Sequence, residues 1–108
     1  LWLIDHGASI YFHHAWHNWE AHAERSFPAI KEHVLLPKAS ALPEAREAIQ
    51  AAVSSQTIAA IIDTIPEDWL EEAGSPFSPA EKRTIYQRYL EKRLANIELL
   101  TKEAEDAR

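Results

Sequence analysis

From residue 26 onward, apolar side chains recur at intervals of three and four residues. This spacing places them on one face of an α-helix, whereas a half-buried strand shows strict alternation of apolar and polar residues. Proline, glycine and serine interrupt the pattern at several points, as they do where helices begin or end. The pattern therefore predicts five helices, over about residues 28–36, 44–54, 55–65, 67–74 and 79–104.

Each predicted helix has an apolar face that we expect to pack inward. These faces consist of Ile30, Val34 and Leu35 in the first helix, Ala45, Ala48, Ile49, Ala52 and Val53 in the second, Ile58, Ile61, Ile62 and Ile65 in the third, Trp69 and Leu70 in the fourth, and Ile85, Tyr86, Tyr89, Leu90, Leu94, Ile97 and Leu100 in the last. They predict a mainly α-helical fold whose core is made of ordinary aliphatic and aromatic residues.

Two sequences carry the signature of a capped helix start, in which a Ser or Thr residue and a Glu three positions later bind each other's backbone N–H groups. Ser78–Glu81 is the stronger of the two, because its proline occupies the first helical position, where a missing N–H is harmless. Thr64–Glu67 is the second. Gly74 is predicted to end the fourth helix in a left-handed conformation, and Glu98 and Lys102 are spaced to form an ion pair.

The first residues differ from the rest, because Leu1–Ile4 form a short apolar run that ends at Asp5, with Gly7 two positions later. The run predicts a β-strand with a carboxylate at its end and a turn beside it. No other segment predicts a partner strand, and buried backbone N–H and C=O groups are rarely left unpaired. We therefore expect the strand to pair with one supplied from upstream, and we interpret the chain, which has no Met, as the C-terminal piece of a larger protein.

Between these regions lies a segment that is rich in histidine and tryptophan. At helical spacing, one stripe consists of Phe12, Trp16 and Trp19 and a second of His13, His17, Glu20 and Glu24. His13 and His17 are spaced to bind Zn²⁺ together, with Glu20 as a third ligand. The sequence contains no Cys and no H-E-x-x-H motif, which disfavours this site. The alternative is that the tryptophans pack while the imidazoles face solvent.

Composition narrows the possible functions. The chain has 108 residues, of which 46% are hydrophobic, so we expect a single partial domain with a packed core. Without cysteine there is no disulfide framework or thiolate metal site, which fits a cytoplasmic location. The net charge of −6 disfavours nucleic acid as a direct partner. No apolar run approaches the roughly 18 residues of a membrane span, so no membrane association is expected.

The last predicted helix carries a set of cations, Lys82, Arg83, Arg88, Lys92 and Arg93. Sets of this kind contact phosphates in nucleic-acid-binding proteins. Here the cations alternate with Glu81, Glu91 and Glu98, so we expect a solvated helix face instead.

Five stretches spread over most of the chain share the character of one known family. They are Leu1–Ala8, Tyr11–Trp16, Phe27–Pro28, Lys31–Pro37 and Ile65–Leu70. Together they resemble the C-terminal lobe of HipA-like protein kinases, a family of serine/threonine kinases, and within it a bacterial subgroup. The resemblance implies that residues 1–25 form the strand of a D-x-G motif and an activation-loop-like segment, in which no regular helix is expected. Residues 26–108 would form the helical part of the lobe.

In that family the aspartate of the D-x-G motif binds the Mg²⁺ that bridges the ATP phosphates. The resemblance therefore implies that Asp5 is a Mg²⁺ ligand, that Gly7 belongs to the same cofactor-binding motif, and that His6 stands where many kinases have Phe. The sequence has no glycine-rich loop, strand lysine or catalytic-loop aspartate, so no catalytic residue is assigned and the chain alone is expected to be inactive. The implied partners are the remainder of the parent kinase, with its N-lobe and catalytic loop, and a protein substrate or antitoxin-like partner.

Two other functions stay open from the residues. One is a non-catalytic helical module that binds proteins through its tryptophan-rich N-terminal segment. Such a module should unfold cooperatively and be monodisperse or a defined dimer, whereas an excised lobe should expose Trp2, Trp16 and Trp19 and aggregate. The other is a small zinc-binding protein built on His13, His17 and Glu20.

Overall fold

The computed structural model describes Ile10 and residues 16–108. Three 3-10 turns span Trp16–Asn18, Pro28–Glu32 and Leu36–Lys38, and the α-helices are α1 (Trp19–Ala23), α2 (Leu42–Ala52), α3 (Ser55–Ile62), α4 (Glu67–Leu70), α5 (Pro79–Ala95) and α6 (Ile97–Ala107). The mainly α-helical prediction is confirmed, and residues 16–108 contain no strand. The strand predicted at Leu1–Ile4 lies outside the described residues, as do Asp5, Gly7 and His13.

The longest helix, α5, is the element on which the fold is built, because α1, α3, α4 and α6 all pack against it. Its start is fixed by the capping box predicted from the sequence. The Glu81 backbone N–H donates to the Ser78 hydroxyl, and the Ser78 N–H donates to the Glu81 carboxylate, both at 3.2 Å. The first of these bonds satisfies one of the backbone N–H groups that every helix start leaves unpaired.

The single long helix predicted over 79–104 is in fact two helices that meet at Asn96. Asn96 has φ −92° and ψ 8°, and its backbone N–H bonds to the carbonyl groups of Lys92 and Leu94. The chain thus changes direction at this residue, so α6 packs on α2 and on the 3-10 turn at Pro28–Glu32. None of the helices in the part of the chain that the structure describes is long and apolar enough to cross a membrane.

The core lies where α1, α3 and α4 meet α5. Ile85 and Tyr89 of α5 and Ala23 of α1 form one buried cluster, with aromatic rings around it. The other buried apolar side chains are Leu36, Ile58, Ile62, Leu70 and Ala104. The inward faces predicted for α3, α4 and α5 are therefore confirmed at their most buried positions.

The prediction of a helix over residues 28–36 is wrong. A 3-10 turn covers Pro28–Glu32, and the backbone is already extended at His33 (φ −71°, ψ 122°). Residue 34 consequently does not continue the face that Ile30 begins. Val34 is 85% exposed and Leu35 is exposed as well, while Leu36 is buried in their place.

The helix α2 forms as predicted but does not bury its predicted face. Ala45, Ala48, Ile49 and Ala52 are exposed, and Val53 is half-buried. Ile61 of α3 and Trp69 of α4, also predicted to point inward, are 59% and 77% exposed. The apolar spacing identifies the face of a helix, but burial also requires another element opposite that face.

The capping box predicted at Thr64–Glu67 does not form. The Thr64 hydroxyl donates to the carbonyl group of Ile61 at 2.6 Å, and α4 begins after Pro66 without a side-chain cap. Gly74 does adopt the predicted left-handed conformation, with φ 80°. It does so in a turn beyond the end of α4, which stops at Leu70.

The ion pair expected between Glu98 and Lys102 is replaced by two others. Lys102 pairs with Asp106, one turn later on α6, at 2.6 Å. Glu98 lies 4.0 Å from Arg46 of α2. The second contact joins two helices, which accounts for the different partner of Glu98.

Candidate functional site

The candidate site is built around residues 16–25, which we call the tryptophan segment and which come shortly after the D-x-G motif in the sequence. The segment contains the first 3-10 turn and α1, and the backbone changes conformation between them at Asn18 (φ −120°, ψ 24°). The segment packs along α5 through α1.

Trp16 provides the main aromatic contact of the tryptophan segment. Its ring meets that of Tyr86 edge-on, with centroids 4.8 Å apart and an interplanar angle of 75°. This geometry is favourable because the positive edge of one ring faces the negative face of the other. Burial raises the pKa of the Tyr86 hydroxyl above its ordinary value of 10.0, so the phenol is neutral at physiological pH.

Lys82 is a buried cation beneath Trp16. Its side chain is only 3% exposed, its Nζ lies 5.2 Å from the centroid of the Trp16 ring, and Glu72 Oε2 is 3.4 Å away. A buried charge is tolerated only where nearby groups compensate it, and here an aromatic face and a carboxylate do so. Lys82 thus joins Trp16 to the loop before α5. The sequence-based expectation that this lysine lies on a solvated face is wrong.

The other end of the tryptophan segment is held by two more cations of α5. Lys92 Nζ lies 5.8 Å from the Trp19 ring centroid and 3.4 Å from Glu24 Oε1. The Arg93 guanidinium donates to the carbonyl oxygen of Arg25 at 2.7 Å. These groups are partly exposed, so each contact contributes about 1 kcal/mol or less.

Arg83 also binds the chain itself, because its guanidinium donates to the Ile62 carbonyl oxygen at the end of α3 at 3.0 Å. Of the five cations predicted to form a solvated face, Arg88 is exposed and Arg83, Lys92 and Arg93 are partly exposed, so the prediction is wrong only for the buried Lys82. Several basic residues of α5 nevertheless hold neighbouring segments in place.

The anchoring continues into the next segment. The Phe27 backbone N–H donates to Glu103 Oε2 of α6 at 2.7 Å, and the following 3-10 turn, Pro28–Glu32, packs on α6. Residues 16–32 are in this way attached to α5 at one end and to α6 at the other.

An open pocket of about 250 Å³ lies beside Trp16. Its lining includes Trp16, His17 and the loop from Glu72 to Phe77, in which Gly74 has its left-handed conformation. The pocket offers the His17 imidazole, the Glu72 carboxylate, the Ser75 hydroxyl and backbone groups. The Ser75 hydroxyl oxygen accepts a hydrogen bond from the Phe77 backbone N–H at 3.3 Å. A polar molecule would find hydrogen-bond partners here.

The zinc site predicted at His13, His17 and Glu20 has two members among the described residues. His17 lies in the 3-10 turn and Glu20 in α1, and both are exposed. His13 lies outside the described residues. Among residue 10 and residues 16–108, no group of three or more His, Cys, Asp or Glu side chains is arranged to hold a metal ion.

The predicted Mg²⁺ ligand, Asp5, and Gly7 also fall outside the described residues. Asp5 is the one carboxylate that this chain would contribute to the predicted Mg²⁺ site. The alternative interpretation of this segment, in which the tryptophans pack and the imidazoles face solvent, is confirmed for Trp16, Trp19 and His17. The contacts to α5 were not predicted, because Trp16 and Lys82 are far apart in the sequence. No family model matches the chain, and neither does any curated protein or solved structure.

Proposed function

We propose that this chain is the helical C-terminal part of a HipA-like serine/threonine kinase, to which it contributes the Mg²⁺-binding Asp5. The resemblance of Leu1–Ala8 and of the later stretches to that family is the basis of the proposal. The remainder of the parent kinase would supply the N-lobe, the catalytic loop and most of the ATP contacts. When bound, Mg²⁺ would neutralise the charge of the transferred phosphoryl group.

The attachment of the tryptophan segment to α5 is the structural observation that bears on this function, although the resemblance expects no regular helix in residues 1–25 and α1 is an α-helix over Trp19–Ala23. Phosphoryl transfer depends on positioning and charge neutralisation more than on covalent participation of the protein. A metal-binding carboxylate must be held within a fraction of an ångström, which requires rigid support close by in the chain. Trp16, which contacts Tyr86 and Lys82, is an anchored position that follows Asp5 in the chain, and we propose that it contributes to such support.

The first test is the reading frame upstream of Leu1. The proposal expects an Asp followed about five residues later by an Asn, roughly 10–20 residues before Leu1, and a strand with a Lys further upstream. In the parent protein, Asp5→Asn should then lower phosphoryl transfer from ATP by at least about 100-fold, because loss of a metal ligand exceeds the effect of losing its supporting contacts.

Asp68→Asn is the matched control, because Asp68 is an exposed carboxylate at the start of α4. This variant should retain the activity of the parent protein. A start codon directly before Leu1, or an active Asp5→Asn enzyme, would remove the kinase function. The tryptophan segment would then only stabilise the fold.

A second function, a non-catalytic protein-binding module, is favoured by a different observation. Among the residues that the structure describes, seven large apolar side chains are exposed, namely Phe27, Val34, Leu35, Ile49, Ile61, Trp69 and Leu99. Trp16 and Trp19 are half-buried against α5, so binding would use these seven side chains rather than the tryptophan segment. Cooperative thermal unfolding of residues 1–108 without ATP, followed by far-UV circular dichroism, would support the module.

A further inference from the structure

An apolar groove with a volume of about 350 Å³ is lined by side chains of α2, α3, α5 and α6. The buried Ile58 lies at its base, whereas Ile49 and Ile61 are exposed at its edge. Its other aliphatic lining residues are Val53, Leu90, Leu94, Ile97 and Leu100. Binding sites for small molecules have this character, because they are clefts of about 300–1,000 Å³ with mainly apolar walls and a few polar groups.

The groove lies between two pairs of packed helices. One pair consists of α2 and α6, and the other of α3 and α5. Residues 90, 94, 97 and 100 follow one another at intervals of three or four along α5 and α6, so they form one apolar strip that continues past the junction at Asn96. An alkyl chain placed along this strip would contact aliphatic side chains over its whole length.

One charged residue, Arg93, interrupts the aliphatic lining. It is the single charged side chain among the described residues that line the groove. Its guanidinium donates to the Arg25 carbonyl oxygen at 2.7 Å, which fixes the position of the charge. A guanidinium has five N–H donors in a rigid fork, so it can bind a carbonyl oxygen and a carboxylate at the same time. The groove thus combines apolar walls with one positive charge.

We propose that the groove binds a medium-chain fatty acid, whose alkyl chain lies against the aliphatic walls and whose carboxylate pairs with Arg93. The sign of the charge selects the head group, because a guanidinium attracts a carboxylate and repels an ammonium group. Residues 48–62, which supply the walls from α2 and α3, contain no Asp, Glu, Lys or Arg. No carboxylate of these walls would therefore oppose that of the ligand.

The net charge of −6 limits where an anion can bind to this chain. A negatively charged surface repels anions in general, so a carboxylate requires a cation held in a fixed position. The volume of the groove lies at the lower end of the range for ligand sites, which suits an acid of about ten carbon atoms. This inference does not rest on the proposed kinase function.

The test is isothermal titration calorimetry with decanoate, at concentrations below those at which it forms micelles. The expected result is one molecule bound per chain with a dissociation constant of about 10–100 μM. Decanol has the same chain length without the charge, and it should bind at least about tenfold more weakly. Octanoate should also bind about tenfold more weakly, because each buried methylene group contributes about fourfold in affinity.

Arg93→Gln tests the role of the charge. It should weaken the binding of decanoate at least about tenfold and leave that of decanol unchanged. The decanol titration shows whether the groove is intact in this variant, so a merely structural effect of Arg93 would be recognised. Arg88→Gln is the matched control, because Arg88 is an exposed cation of the same helix that does not line the groove, and it should change neither ligand.

Ile61→Glu places a carboxylate at the edge of the groove and should weaken both ligands, whereas Trp69→Glu changes an exposed side chain outside the groove and should weaken neither. Circular dichroism should show equal helix content in all variants. The absence of saturable decanoate binding up to about 1 mM would overturn the proposal. Equal binding of decanol and decanoate would overturn it as well, because the groove would then take neutral apolar molecules. Decanoate binding that Arg88→Gln weakens as strongly as Arg93→Gln would place the ligand elsewhere on α5.

Discussion

The helices α5 and α2 both carry apolar residues at helical spacing in the sequence, but their surroundings are very different. On α5, Ile85 and Tyr89 are buried against Ala23 and the rings of the tryptophan segment, and α3 and α4 also pack on this helix. On α2, no side chain is buried, and α6 is its main neighbour. The apolar stripe is thus necessary for burial, but the elements opposite the helix decide whether burial occurs.

The difference has energetic consequences. Removing an apolar side chain from water contributes about 25 cal/mol for each Å² that is buried, so α5 contributes far more to the free energy of unfolding than α2. Because local stability follows buried contacts, α2 should open more readily than α5. The exposed stripe of α2 then makes it the more suitable helix for a partner.

The largest effect that distinguishes the two helices is expected from truncating one apolar side chain on each. Tyr89→Ala should lower the free energy of unfolding by about 3–5 kcal/mol, because it removes a buried ring and leaves a cavity in the core. Ile49→Ala, on α2, should cost about 0.5 kcal/mol, as is usual for exposed positions. Urea unfolding followed by tryptophan fluorescence and far-UV circular dichroism measures both.

The measurement should be made without added fatty acid, because a bound ligand would add to the apparent stability. Equal losses for the two variants would contradict the comparison. In that case α2 would be covered as well as α5, and the exposed stripe could not serve as a binding surface.

A smaller effect separates two cations of α5 that hold the two ends of the tryptophan segment. Lys82→Ala should lower the free energy of unfolding by about 2 kcal/mol, because a desolvated cation–π contact is lost together with the packing of the stem. Lys92→Ala should cost less than about 1 kcal/mol, because Lys92 and Glu24 are solvent-accessible and screened. Acrylamide quenching of tryptophan fluorescence should increase more in the Lys82 variant.

Lys82→Met separates the charge from the stem, since methionine retains much of the apolar length. Recovery of most of the lost stability would attribute the role of Lys82 to packing, and no recovery would attribute it to the charge and the Trp16 ring. Equal effects of Lys82→Ala and Lys92→Ala would mean that the burial of Lys82 has no energetic consequence and that Lys82 does not anchor Trp16.

The parts of the fold that the sequence predicts are those decided by neighbouring residues. The Ser78–Glu81 capping box depends on side chains three positions apart, and the left-handed Gly74 depends on one residue. Ile58 and Ile62 lie on one face by helical spacing alone. Failures occur where a distant element decides, as for Val34 and the stripe of α2.

The candidate site was predicted only in part for the same reason. Lys82 precedes Ile85 by three residues and Tyr89 by seven, so helical spacing places it on the apolar face of α5. In linear order the basic residues alternate with acidic ones, which is the pattern of a solvated face. Its partner Trp16 could not be deduced, because the contact joins segments distant in the chain. Asp5 stays a prediction.

The smallest expected effect concerns Lys102, which pairs with a carboxylate as Lys82 does but is exposed. The Lys102 ammonium, fully exposed on α6, has a pKa raised above 10.5, first by its hydrogen bond to Asp106 and then by the charge of that carboxylate. The pair favours the charged lysine in the folded state. Its contribution to stability is therefore fully present below pH 10.5 and is lost as the pH rises through the folded-state pKa.

An NMR titration of the Lys102 side chain in the protein and in Asp106→Asn tests this assignment, because the variant should shift the Lys102 midpoint down toward 10.5. The thermal midpoint at neutral pH should change little, because an exposed ion pair is screened by solvent. A large loss of stability would mean that α6 depends on this surface pair, whereas the comparison of α5 with α2 assigns stability to burial.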